Sequence, residues 1–260
     1  MTHNLPIRIL FGALTAITLH GAALAHGDAG EATGGSESSQ WGLGLAVMSE
    51  IKPYRDFDNK TEVIPFISFE NRWVRVFGPG LELKLGKAGP VAFGLTASFG
   101  MDGYKSSDSP VLDGMSKRKG SVWLGARASL RSELANVSAE WSSDASGHSK
   151  GQKFKLGAER RFALGDVGIT PRLTATWLDR KFVQYYYGVE ASEVRPGRVL
   201  YNPSSTVNTE VGLRLDYKLA PQHMVFADLG TTALGGEIKK SPLVDRSSVP
   251  EVRLGYVYRF

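Results

Sequence analysis

The final stretch of the chain, V-P-E-V-R-L-G-Y-V-Y-R-F at residues 249–260, constrains the fold more tightly than any other. Val252, Leu254, Tyr256, Tyr258 and Phe260 share one parity, and Glu251, Arg253, Gly255 and Arg259 the other, a period of two held to the carboxy terminus. As an edge strand in water this sequence would set tyrosines and a phenylalanine beside unpaired backbone groups, an aggregation hazard. Against lipid the same pattern is what a barrel strand needs, apolar outward and polar inward with aromatics at the water boundary. The stretch therefore predicts the closing strand of an antiparallel transmembrane β-barrel. Tyr258 and Phe260 are expected to act as the terminal signal read by the barrel-assembly machinery during insertion.

The start of the chain reads as an export signal over residues 1–25. Arg8 precedes an apolar run, and Ala23-Leu24-Ala25 supplies the small residues of a cleavage site. That run is well short of the roughly 20 apolar residues a spanning helix needs. Residues 26–40, rich in Gly, Ala, Ser and Glu, read as a flexible periplasmic lead-in. The chain has no cysteine, which excludes disulfides and thiolate metal sites. Its 31 basic residues against 26 acidic ones do not gather on one helix or arm, so nucleic acid is not indicated as a partner.

From residue 41 to 260 strand-like runs alternate with breakers. Trp41, Leu43, Leu45 and Val47 give one apolar face, and Val63, Pro65, Ile67 and Phe69 the next. The cleanest run sets Val207, Thr209, Val211, Leu213, Leu215 and Tyr217 against Asn208, Glu210, Gly212, Arg214, Asp216 and Lys218. Counting gives about twelve strands, with long connections alternating with short turns near Asn71, Gly89, Ser132, Leu164 and Pro221. Only Gly78-Pro79-Gly80 breaks that alternation, and residues 73–85 read as two short strands or as one bulged strand. An all-β barrel of this kind, with long extracellular loops and short periplasmic turns, belongs in the outer membrane of a Gram-negative bacterium, in contact with lipid and lipopolysaccharide. Trp41 and Trp73 are expected at the periplasmic boundary, and Trp141 and Trp177 at the outer one.

The inward parity carries both signs of charge. Arg127, Lys155, Glu159, Arg172, Glu210, Arg214, Asp216 and Arg253 are the expected lumen-lining charges, either as a salt-bridge network or as a permeation path. Asp144, Ser146, His148 and Ser149 are the one group resembling a hydrolytic constellation, but nearness in sequence is a weak sign of catalysis. A solvated loop is the simpler reading, and no enzyme activity is expected. No His or carboxylate cluster has metal-ligand spacing, and no cofactor is indicated. The basic run Lys117-Arg118-Lys119 sits where it would meet lipopolysaccharide phosphates or end a solvated loop.

Three internal segments carry a resemblance to a known family: Val183-Gln184-Tyr185-Tyr186-Tyr187-Gly188-Val189 followed by Tyr201, Leu112-Asp113-Gly114-Met115, and Ser241-Pro242-Leu243-Val244. With the terminal Leu254-Gly255-Tyr256-Val257-Tyr258-Arg259-Phe260 they resemble the MipA/OmpV family of outer-membrane proteins over residues 41–260. Tyr187 stands where that family is expected to carry phenylalanine. The resemblance implies a barrel named for interaction with a lytic transglycosylase, and a scaffold joining that enzyme to a penicillin-binding protein in murein growth. Two further readings stay open: a small-solute channel gated by the segment 180–204, with Tyr185, Tyr186 and Tyr187 lining or packing its entrance, and an adhesion barrel.

Overall fold

The computed structural model describes residues 39–260 apart from residue 58. The segment expected to be a signal, and nearly all of the lead-in, lie outside the described residues. Gln40, expected in the lead-in, is instead the first residue of β1. The strands are β1 Gln40–Glu50, β2 Lys60–Glu70, β3 Val74–Phe77, β4 Gly80–Ala88, β5 Val91–Gly100, β6 Ser121–Arg131, β7 Asn136–Asp144, β8 Gln152–Glu159, β9 Phe162–Leu164, β10 Val167–Leu178, β11 Thr206–Ala220, β12 His223–Ala233 and β13 Ser248–Arg259. All pairings are antiparallel, and β13 closes on β1 through Leu43↔Tyr258, Leu45↔Tyr256 and Val47↔Leu254.

β8 and β9 both pair with β10, so they are two segments of one strand and the barrel has twelve. The interruption at Arg160 and Arg161 lies opposite Pro171, which has no N–H to give a ladder. Closure is what makes the fold viable in lipid, because each backbone donor and acceptor must find its partner in a neighbouring strand. Among the described residues no helix is long and apolar enough to cross a membrane.

Side chains follow the alternation. Leu43, Leu45, Leu173, Val211 and Leu254 point outward and stay about half exposed, while Glu210, Arg214, Asp216 and Arg253 point inward and are buried. Trp41 and Trp73 lie at the end carrying the short turns, Trp141 and Trp177 toward the end carrying the long connections, all exposed. The turn at Asn71 shows why such turns are tight: its side-chain oxygen accepts from the backbone N–H groups of Trp73 (2.8 Å) and Val74 (2.7 Å).

Two features depart from a uniform wall. Residues 73–85 form two strands, and β3 is only four residues long, so the β3–β4 hairpin turns back at residues 78–79, far below the other long-loop ends. The interior is also not polar throughout. Phe66, Phe77, Phe226 and Val257 pack together inside, which is why β12 reads with weak alternation. Phe226 lies flat over Gly255, where an added Cβ would come within 2.3 Å of the ring.

Candidate functional site

The long connections fold inward and close one end of the barrel. The segment after β10 contains a helix, α1 Arg180–Tyr187. Asp179 caps it, accepting from the N–H of Phe182 at 2.8 Å, and its negative charge suits the helix amino terminus. Eight residues do not hold a helix in water, so its stability comes from the buried face of Phe182, Val183, Tyr186 and Tyr187 at i, i+1, i+4 and i+5. That face packs with Tyr54, Tyr104, Leu112, Met115, Trp123 and the adjoining connections to form an apolar plug.

Polar ties fix the plug's arrangement. The Tyr54 hydroxyl donates to the carbonyl of Tyr186 (3.1 Å), the Tyr186 hydroxyl to that of Lys119 (3.0 Å), and the Ser241 hydroxyl to that of Tyr187 (2.7 Å). The Tyr185 hydroxyl accepts from the N–H of Lys119 at 2.9 Å. Burial raises the pKa of Tyr54, Tyr186 and Tyr187, so these phenols stay protonated. Burial and the nearby Glu237 carboxylate push Tyr201 up to about 12, and its hydroxyl donates to the Glu237 carbonyl at 2.7 Å.

The strongest tie is ionic. Arg118 and Glu193 are both almost fully buried, and the Arg118 Nη2 donates to Glu193 Oε1 (2.8 Å) and Oε2 (2.9 Å). The backbone N–H groups of Ser116 and Glu190 donate to the same carboxylate at 3.0 Å each. Burial opposes its charge, but these donors outweigh the cost and hold the carboxyl below the ordinary glutamate range. Arg198 donates to the carbonyls of Val111 (2.7 Å), Asp113 (2.8 Å) and Glu193 (2.8 Å), clamping the Leu112–Met115 turn. The basic run read as a lipopolysaccharide contact or a solvated loop end is thus divided: Arg118 points into the plug, and within the run only Lys117 and Lys119 are exposed.

Below the plug lies a cavity of about 200 Å³, bounded above by Trp123, Phe182 and Tyr187 and reaching Glu82, Arg127 and Lys155. The inward charges surround and underlie it. Arg172 pairs with Glu210 (2.9 Å) on β11 and with Asp228 (2.5 Å) on β12. Its guanidinium reaches across Gly212, where an added Cβ would come within 2.5 Å of it. Arg161 grips Asp216 with two bonds of 2.6 Å, Arg214 stands 3.8 Å from Asp228, and Arg253 pairs with Glu251. Arg127, Lys155 and Glu159 point to the same interior outside these direct pairs. The geometry thus brings all eight expected lumen charges to one interior, and it gathers Tyr185, Tyr186 and Tyr187 in the plug above. Tyr258 and Phe260 lie at the short-turn end of β13, ring to ring at 5.0 Å.

Asp144, Ser146, His148 and Ser149 do come together, but the wiring closes a loop. Asp144 accepts from the hydroxyls of Ser146 (2.6 Å) and Ser149 (2.8 Å) and from the backbone N–H groups of residues 146, 147, 149 and 150. The carboxylate holds the serines, while His148 Nδ1 faces the Gly120 carbonyl at 2.8 Å, so no acid orients the imidazole as a relay requires. Among the described residues no group of three or more His, Cys, Asp or Glu side chains is placed to hold a metal ion.

Trp123, Glu193 and Arg198 had no place among the residues singled out for function, and Arg118 was read only as part of a basic run. Trp123 carried a readable signal, since it shares parity with Ser121, Gly125 and Arg127 and so points inward. The Arg118–Glu193 pair spans 75 residues and had none.

A closed, twelve-stranded antiparallel barrel with an apolar outer band, charged interior and outward tryptophans is an outer-membrane β-barrel protein. The family described as MltA-interacting protein MipA matches residues 42–260, and the chain belongs to that family. It is 26% identical to the outer membrane protein YiaT of Escherichia coli K12, over 86% of this chain and 92% of that protein. It is 25% identical to the MltA-interacting protein of the same organism, over 84% and 89%. Among solved structures, an outer-membrane channel from Pseudomonas putida F1 is similar at a TM-score of 0.44 and 13% identity, covering 90% of this chain and all of the other.

The three internal segments that carry the family resemblance now have physical roles and meet in the plug, while the terminal one forms the closing strand β13. Leu112 and Met115 are buried, Val183 to Val189 form α1 and its exit, and Ser241, Leu243 and Val244 pack beneath it.

Proposed function

We propose that this protein is a gated passage for small solutes across the outer membrane, closed at its outer end by α1 and the connections around it. One observation carries the reading. The wall is a strand ladder closed on itself, whereas the plug is held by side-chain bonds, isolated backbone bridges such as Tyr54↔Val244 and Tyr104↔Arg118, one buried ion pair and an apolar cluster, so it can move without unpairing the strands of the barrel. Below it a cavity already exists among charges of both signs, as a selective lumen requires. Reconstitution in a planar bilayer tests this: the protein is expected to give intermittent conductance steps, and Arg214→Glu to shift selectivity toward cations. Arg214 suits the test because its nearest carboxylate is 3.8 Å away, which leaves the shorter Arg172 pairs in place. A silent bilayer, or selectivity that ignores Arg214→Glu, would refute the passage.

A second reading, a scaffold for murein enzymes, is favoured by the relative named MltA-interacting protein. A plugged lumen leaves the periplasmic face as the working surface. Within the barrel that face offers only short turns, such as residues 71–73, 89–90 and 165–166. A stable interface buries roughly 800 Å² per partner, so the contact is expected to be transient and to draw on residues 26–38. Pull-down of a lytic transglycosylase by the full chain, weakened when residues 26–38 are deleted, is the expected result. Equal recovery from both would remove this role for the lead-in.

A further inference from the structure

The barrel wall is incomplete at one place. β2 pairs with β1 over its full length, Gln40↔Glu70 to Glu50↔Lys60, but with β3 only at Ser68, Phe69 and Glu70. The last bond to the hairpin runs from the N–H of Gly78 to the carbonyl of Ile67 at 3.0 Å. On the far side β4 stops at Gly80↔Ser98, while β5 continues with β6 to Gly100↔Ser121. Among the described residues no strand therefore pairs with β2 from Thr61 to Phe66 on that side. The gap is two strands wide, or about 10 Å at the usual strand spacing.

Parity says what faces it. The Ile67 carbonyl points toward the hairpin, so the backbone groups of Pro65, Val63 and Thr61 point the same way. Pro65 has no N–H, and it stands where no acceptor is offered, the placement expected of proline on an open edge. The gap also lies at membrane depth, because Pro65 and Val63 pair with Leu45 and Val47, whose side chains belong to the outward apolar band. Lipid cannot satisfy the Val63 N–H and C=O, and irregular backbone at this depth persists only against protein or a wet cavity. The cavity beneath the plug reaches the hairpin and β5 sides of this place, since Phe77, Gly80 and Ser98 line it. So do Leu81 and Ala97, which sit on the outward parity, so the cavity extends over the sill formed by residues 78–79. Above, the Lys52 ammonium donates to the Gly103 carbonyl and ties the connection after β1 to the one after β5.

We propose that this gap is a lateral doorway between the outer leaflet and the lumen, used by small molecules with an apolar body and a polar end. The lipid side of the frame is apolar, with Val63, Ile67 and Leu81 exposed on it. The chamber inside offers Arg75, Glu82, Asp102 and Lys153 to the polar end and the rings of Trp123 and Phe182 to the body, in a volume that suits one ring system. The doorway rests on the passage reading and gives it a direction: with the outer mouth plugged, solute enters or leaves through the wall.

The chain's lack of cysteine makes the test clean. Ser98→Cys, reconstituted in phosphatidylcholine nanodiscs, is labelled with N-phenylmaleimide or with a sulfonated maleimide. Each rate is normalised to that of Lys117→Cys on the exposed connection. The lipid-soluble reagent is expected to react about tenfold faster than the sulfonated one, and Ala97→Trp, added at the sill, to slow it by about tenfold. Retention of the heat-modifiable barrel band confirms folding, and Leu81→Trp replaces Ala97→Trp if that variant does not fold. Equal labelling by both reagents would overturn the doorway while leaving a water-filled axial passage. Failure of both to label would overturn doorway and passage together. A rate indifferent to the tryptophan, or ready disulfide dimers of Val63→Cys showing that a second copy covers the edge, would also overturn the doorway.

Discussion

Arg118→Ala is expected to destabilise the outer plug by about 3–5 kcal/mol, because it strands the Glu193 carboxylate in the interior without its cation. The two backbone N–H groups that remain on Glu193 soften the loss, so the lower half of that range is expected. The barrel ladder is untouched, and the effect appears as faster protease clipping within residues 188–204 while the folded band on a gel persists. Acid should do to the native protein part of what the substitution does. The Glu193 carboxyl is held below its ordinary range, so its contribution is fully present above the unfolded value of about 4.3. It is lost as pH falls through the lower, folded value. In Arg118→Ala the carboxyl keeps its backbone donors at Glu190 and Ser116 but loses the neighbouring charge that adds to their effect, and acid loosening moves to higher pH. Clipping rates that coincide for the two proteins between about pH 3 and 7 would show that the pair does not latch the plug.

The barrel was legible in the sequence and the plug only through its tyrosines, for a physical reason. A strand that separates lipid from a lumen must alternate at each residue, so residues 207–218 and 252–260 announce themselves. A plug needs only to fit. Within residues 179–188 the signs of a helix were present, an aspartate cap followed by buried-face spacing, but one two-turn helix inside a long connection carries little periodicity. The interior phenylalanines defeated the binary pattern, because Phe66 and Phe226 sit on the polar parity opposite glycines. The prolines were the most informative residues left unread. Pro65 and Pro171 each mark a place where the ladder lacks a partner, yet that meaning depends on the length of the neighbouring strand. The lumen charges were readable singly from parity. Their pairing was not, since Arg172 meets Asp228 from two strands away only because Gly212 leaves room between them.

That reach makes Arg172 the residue whose loss should cost the barrel most. Arg172→Ala leaves Glu210 and Asp228, both about 5% exposed, without their closest cation: Arg214 stands 3.8 Å from Asp228, and Arg253, opposite Asp228 on β13, is paired with Glu251. Removing one partner from a buried ionic group typically costs about 3–5 kcal/mol, and like charges left close together add to it. The heat-modifiable transition is expected to fall well below that of the native barrel, and below that of Arg214→Ala. Desolvation of three ions offsets much of the attraction among them, so most of the damage comes from the stranded carboxylates. Replacing the whole set, Arg172→Met with Glu210→Leu and Asp228→Leu, should therefore recover most of the lost stability while shifting selectivity toward anions, since Arg127, Lys155, Arg214 and Arg253 remain. If the triple variant melts as low as Arg172→Ala, the attraction outweighs the desolvation, and the network is a stabilising element of the barrel in its own right.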